Sequence, residues 1–368
     1  MASALVPPGV DPCTVPSGMP PPGQTWNFDN PVSVASITIA ICTIMTACAL
    51  VFVTARIYVN KRALNLSDYF MIVATVLDLA FAGVIISMIK YNRHQWDIPL
   101  CWINGQYMKF LFVNTILVGP ALYFSKSSIF LMYRQFFSVK REMRIAIIIG
   151  LIATFLIYIP SIPLAAIFSA PRVGHSWEEL IITRSIELLI PWGIVQGTVS
   201  LALDIYIFIL PIPILSKLNI TFSKRLQLLA VFATALMGVT ASVIALAYRI
   251  KLVMSADSTW QQAALWMAIV VENNVAIIVG SMPAFANFIR IYVSETKAFK
   301  SLQSMLRGSR NDSSKDIQKA PQGPELATFG SPRPRGPSYY ELTDSAIMRT
   351  QLTTNDSGVS LNPENGGK

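Results

Sequence analysis

The chain has 368 residues, 53% of them hydrophobic and only 13% charged, where soluble domains carry about 25% charged residues. Its 20 acidic and 29 basic side chains are too few to coat a soluble surface of this size, and a mean hydropathy of +0.51 points to lipid contact. Four cysteines and two histidines leave little material for a disulfide scaffold, a zinc module or a many-histidine metal site, so no metal and no cofactor is expected.

A helix crossing a hydrocarbon core about 30 Å thick needs about 20 mostly apolar residues. Seven windows qualify. In chain order they are 32–55, which holds no ionisable residue, 69–89, interrupted by Asp78, and 110–136, with Lys126 and Arg134. Then come 145–168, with Pro160 and Pro163; 188–215, with Asp204, Pro211 and Pro213; 226–248; and 264–289, around Glu272. Their lengths favour helices over strands, which predicts an all-α bundle of seven transmembrane helices.

Lys and Arg divide unevenly between the two sides of such a bundle, 21 against six, and ten against six in the short loops alone. By the positive-inside rule the amino terminus is expected outside and the carboxyl tail in the cytoplasm. The charge of +9 then sets topology, and nucleic acid is not an expected partner. Residues 1–31 form a short Pro-rich arm without a basic start, read as a disordered segment ahead of an uncleaved first span. The membrane domain occupies 32–290. In 291–310, Phe299, Leu302, Met305 and Leu306 share one face, which fits either a short interfacial helix or an extension of the seventh helix. Residues 311–368, rich in Ser, Pro, Gly and charge, read as a disordered tail.

Charges at mid-bilayer cost roughly 2.5–3.5 kcal/mol on insertion scales, so Asp78, Lys126, Asp204 and Glu272 each need a partner, a neutralising proton or a watery cavity. Counted at about 1.5 Å per residue from the cytoplasmic ends, Asp78 and Lys126 lie about 12–14 Å deep and Asp204 about 18 Å. That groups the three in one layer, with Lys126 pairing to Asp78 or Asp204. Glu272 lies nearer the outer face, and the adjacent Asn273 and Asn274 predict a second polar layer with it. Two readings stand side by side: a network switched by protons or ligand, and fixed salt bridges that set helix register. The proline pairs likewise serve either as hinges or as packing devices.

Several segments resemble the fungal rhodopsin-like seven-helix integral membrane proteins, a group that includes the Pth-type candidate receptors of filamentous fungi. The likeness rests on Arg56 and L-N-L-S-D-Y with Asp68, on R-H-Q-W-D-I-P with His94, Trp96 and Asp97, and on K-S-S-I-F-L-M-Y-R-Q-F-F from Lys126. It extends through D-I-Y-I-F-I-L-P-I-P from Asp204, Lys224, Arg249, S-A-D-S-T-W with Asp257 and Trp260, and E-N-N-V-A-I-I-V-G-S-M-P with Glu272 and Pro283. Family members commonly carry cysteines between the fourth and fifth helices, and residues 169–187 here have none. Cys101 therefore either bridges Cys13, the other cysteine expected outside, or stays free.

The resemblance implies a receptor-like protein in which an outer crevice near His94, Trp96, Asp97, Asp257, Trp260 and Glu272 senses an unknown small-molecule ligand. A G protein is one candidate partner besides the lipid bilayer. The runner-up reading is an accessory membrane protein of secondary metabolism that works beside pathway enzymes, and a proton-coupled carrier is a third. Enzyme motifs are missing, and the seventh span has no lysine for a retinal Schiff base, so neither catalysis nor photochemistry is expected. Either the plasma membrane or an intracellular membrane fits.

Overall fold

The structure is a computed structural model that describes residues 9–137, 141–183, 189–212, 222–289 and 291. The chain divides into a unit of Met1–Arg307, which contains every described residue, and a second of Gly308–Lys368. The tail at 311–368, Pro213 and, apart from Ile291, the segment 291–310 thus lie outside the described residues.

Among the described residues nine α-helices run in chain order: α1 Ala35–Asn60, α2 Leu66–Ser87, α3 Gly105–Phe137, α4 Arg141–Tyr158 and α5 Ser161–Phe168, followed by α6 Glu179–Thr183, α7 Leu189–Ile209, α8 Phe222–Met254 and α9 Ser258–Phe288. Among the described residues seven helices are long and apolar enough to cross a membrane, with α4 and α5 together making the fourth span. Strand pairing among the described residues is limited to two isolated bridges, so the fold is all-helical.

Local chemistry explains the helix ends. Asn65 and Asp68 form a reciprocal capping box at the start of α2, with the Asn65 N–H donating to Asp68 Oδ2 at 2.9 Å. Asn104 Oδ1 accepts the N–H groups of Gln106 and Tyr107 at 3.0 and 3.2 Å, which starts α3 five residues before its apolar stretch. The fourth span breaks where Pro160 removes a backbone donor; the Ile162 N–H donates to the Ile159 carbonyl, and the Ser161 hydroxyl donates to the Tyr158 carbonyl. Pro120 and Pro283 are carried inside α3 and α9.

Around the bundle, α1 packs on α2 and α9, α2 on α3, α3 on α4, α4 on α7, α7 on α8, and α8 on α9. Helix α9 is the central one. It touches α2 and α3 as well, and 78% of its apolar stretch is buried against 22–39% for the other six spans. The peripheral helices turn Ile44, Val51, Val76, Ile148, Ile152 and Val243 outward, as a lipid-facing surface requires. Because lipid tails are as apolar as these side chains, helix association relies on close packing and polar pairs. Gly150 of α4 is one such contact, since any side chain there would enter the Phe130 ring of α3.

The amino-terminal arm differs from its reading as disordered. Described residues 9–31 dock on the segment between α2 and α3: the Ser17 N–H donates to the Ile98 carbonyl at 2.8 Å, the Leu100 N–H to Val15 at 2.9 Å, and the Asn27 N–H to Asp97 Oδ1 at 2.8 Å. Cys13 and Cys101 form a disulfide. Composition points to disorder because the arm is rich in proline. Its order comes from backbone pairing and a covalent bond, which composition does not record.

Candidate functional site

Three spans deliver charge to one buried point. Lys126 of α3 places its Nζ 2.8 Å from Asp204 Oδ1 of α7 and 2.9 Å from Glu272 Oε1 of α9, and it donates to Ser200 Oγ of α7 at 2.7 Å. An ammonium has three N–H donors, and these three partners use them all. Ser200 accepts from Lys126 and from the Tyr158 hydroxyl at 2.7 Å, and donates its own proton to Glu272. Asp204 also accepts from the Ser242 hydroxyl of α8. Five helices, α3, α4, α7, α8 and α9, therefore meet in one network of complementary donors and acceptors.

This arrangement keeps the expected pairing of Lys126 with Asp204 and corrects the expected layers. Glu272 joins Lys126 and Asp204, while Asp78 stands apart from them: its Oδ1 accepts from Asn273 Nδ2 at 2.8 Å and from Asn274 Nδ2 at 3.2 Å. Asn273 Oδ1 in turn accepts from Ser125 of α3 at 2.8 Å. Spacing along a helix measures depth only, whereas successive residues turn by about 100° around the axis. Glu272, Asn273 and Asn274 fan across α9, one toward α3 and α7 and two toward α2, and cannot share one pocket.

Near the opposite end from the arm, Arg56 of α1 donates from Nε to Asp68 at 2.7 Å, from Nη2 to Ser67 at 2.7 Å, and from Nη1 to the Gly280 carbonyl of α9. Arg56 and Asp68 entered the sequence reading as motif residues, with no sign that they pair. The partner set of the Lys126 network had a legible signal that went unused. Gln196, Ser200 and Asp204 recur every fourth residue, which lines polar groups along one face of α7.

At the arm end, the residues expected to line an outer crevice are packed into a filled cluster. His94 stacks between Trp96 and Trp260, with ring centroids at 4.5 and 4.1 Å, and its Nδ1 donates to Asp257 Oδ2 at 2.6 Å. Asp97 holds the arm through Asn27. Burial pulls the Arg93 guanidinium below its ordinary pKa while the charge of Asp97 pushes it back up, and Arg93 lies over the Trp102 ring at 5.1 Å. Glu272 is well below this layer. The cluster joins arm, connecting segment and α9.

A cavity of about 170 Å³ lies instead between α3, α5, α7, α8 and α9. Val118, Leu189, Leu252, Leu265, Trp266 and Ile269 supply apolar wall, and Asn114, Trp192, Gln196 and Arg249 supply polar groups. Arg249 crosses to α7, where its Nη1 donates to the Gly193 carbonyl at 2.9 Å. Two glycines one turn apart make room for it: a Cβ at Gly197 would stand 2.8 Å from Arg249 Cδ, and one at Gly193 3.3 Å from Nη1. A second space of about 20 Å³ adjoins Asp204 and Glu272, enough for one water molecule at about 10–15 Å³ each. Among the described residues no group of three His, Cys, Asp or Glu side chains is arranged to hold a metal ion.

The family to which the motifs pointed is also found by comparison with known proteins. Residues 51–291 match the fungal rhodopsin domain. A SAT4 family membrane protein of Emericella nidulans is 26% identical over 259 residues, 70% of this chain and 64% of that protein, so the chain spans less than two thirds of that relative. Fugralins biosynthesis cluster protein 2 of Gibberella zeae is 23% identical over 377 residues, covering 95% of this chain and 89% of its own length. The domain match takes in most of the bundle, including Lys126, Asp204, Glu272 and the cavity. The chain is a multi-pass membrane protein and belongs to the fungal rhodopsin domain family.

Proposed function

We propose that this protein is a receptor-like membrane protein, not an enzyme, which senses a small molecule in the arm-end cavity and reports it through the Lys126 network. The observation that carries the reading is the position of that cavity one helical turn from the network. Gln196 of the cavity wall precedes Ser200 by one turn of α7, and Ile269 precedes Glu272 by one turn of α9. A ligand that moves α7 against α9 must strain the Ser200–Glu272 and Lys126 bonds, which tie those helices to α3. The small space beside Asp204 and Glu272 gives their side chains somewhere to go. In the orientation favoured by the basic loops, the arm end lies outside and the Arg56 end faces the cytoplasm.

The test is guanine-nucleotide exchange in membranes that contain the protein and candidate fungal Gα subunits. Asp204→Asn, which weakens the network, is expected to change basal exchange relative to the wild type. Identical background exchange for both proteins, with every Gα tested, would count against G-protein reporting.

The Gibberella zeae relative carries the name of a biosynthesis cluster protein. That name supports a second reading, an accessory membrane protein of secondary metabolism that scaffolds pathway enzymes or handles a metabolite. Deletion of the gene separates the two: loss of a metabolite with no change in exchange favours the accessory role.

A further inference from the structure

The cavity wall is unbalanced in its hydrogen-bonding groups. Arg249 Nε, Gln196 Nε2 and Trp192 Nε1 are buried donors without a partner among the described residues, while Asn114 Oδ1 is a single acceptor in the same condition. Buried donors left unsatisfied are costly, so three of them on side chains that line one cavity favour an acceptor-rich group toward which those side chains can turn. Arg249 adds a positive charge with no carboxylate at ion-pair distance among the described residues. Glu272 attracts it from further away, but that carboxylate is already engaged by Lys126 and Ser200. The bond from Nη1 to Gly193 and the two glycines of α7 hold the guanidinium in place before any ligand arrives.

We infer that the cavity is a binding site for a small carboxylic acid with an aromatic or branched apolar body, its carboxylate received by Arg249, Gln196 and Trp192. The inference names the ligand class for the cavity on which the receptor reading rests. A single guanidinium matches one negative charge, which favours a carboxylate over a phosphate dianion, and a planar carboxylate fits the edge of the guanidinium. The remaining wall of Val118, Leu252, Leu265, Trp266 and Ile269 takes an apolar body. Size sets its scale. A cavity of about 150 Å³ admits benzene, so about 170 Å³ admits a body of one ring. The unpartnered acceptor on Asn114 suits one hydroxyl on that body.

The test uses the full chain in lipid nanodiscs and equilibrium binding of radiolabelled benzoate, with benzamide as a neutral competitor of the same shape. Saturable benzoate binding is expected, with benzamide about tenfold weaker or more, as the loss of one charge-assisted hydrogen bond implies. Arg249→Gln should remove the preference for the acid, Arg249→Lys should keep part of it, and Val118→Phe should abolish binding of both compounds by filling the space. Three results would overturn the inference: no saturable benzoate binding, equal affinity for the amide, or binding unchanged in Arg249→Gln and Val118→Phe. Should Arg249→Gln fail to fold, the lysine and Val118→Phe variants carry the same decision. The two readings fail separately. Benzoate that binds without altering nucleotide exchange leaves the ligand class standing and removes the receptor output, whereas exchange that answers benzamide as well as benzoate does the reverse.

Discussion

Lys126 is fully buried and spends its three donors on Asp204, Glu272 and Ser200. Removing it would leave two carboxylates facing each other away from water, and uncompensated buried charge is among the costliest defects a core can carry. Lys126→Met is therefore expected to destabilise the protein by about 3–5 kcal/mol, read as a lowered melting temperature in detergent. Replacing Asp204 and Glu272 by Leu in the same chain should recover most of that loss, because the apolar set needs no partner. Failure of the triple variant to recover would mean that the network does more than neutralise its own members.

The four ionisable residues inside the spans stood out in the sequence because they interrupt apolar runs, and Lys126, Asp204 and Glu272 do converge. Depth allowed Lys126 to meet Asp204 but could not exclude Asp78 or include Glu272, since it says nothing about which way a residue faces around its helix. The cavity was also out of reach. Arg249 lies near the end of a span, where a basic residue ordinarily snorkels to the interface. Its bond to the Gly193 carbonyl and the room left by the glycines at 193 and 197 show that it crosses to α7 instead.

Among the elements, the arm shows how far composition can mislead. It was read from its prolines as disordered, yet it pairs with the segment before α3 and is bonded to it through Cys13 and Cys101. The bridge spans 88 residues of sequence and so closes a loop that contains α1 and α2. Disulfides of this kind stabilise by about 2–4 kcal/mol. Cys13→Ser should lower the melting temperature, and it should expose residues 9–31 to limited proteolysis while leaving the membrane helices intact. An arm equally resistant in both proteins would show that the backbone bonds suffice. The fourth span illustrates the opposite case: Pro160 was visible beforehand as a point of weakness, and the helix does stop there.

For the whole molecule, hydropathy identifies seven spans, and among the described residues seven helices are long and apolar enough to cross a membrane, because length and apolar content are properties a sequence states directly. Orientation in the membrane rests on the basic loops and can be tested separately. Gly23 sits in the arm with φ near +86° and nothing within 4 Å of a Cβ built there, and asparagine accepts such a backbone better than most residues. Gly23→Asn creates the acceptor N-Q-T with Gln24 and Thr25. With the arm outside, that variant should gain a glycan that an endoglycosidase removes. An unmodified variant would count against the orientation.

The burial of α9 has a mechanical meaning. One helix carries Thr259 bonded to the connecting segment, the cavity wall at Trp266, Glu272 in the charge network, the two asparagines of Asp78, and the Gly280 carbonyl that receives Arg56. Such a helix is an axle to which each polar level of the bundle is keyed. Its amides should be the last to exchange with deuterated solvent, ahead of none of the six surrounding spans. On the receptor reading proposed above, a ligand is then expected to move α7 against this axis and to leave the axis itself in place.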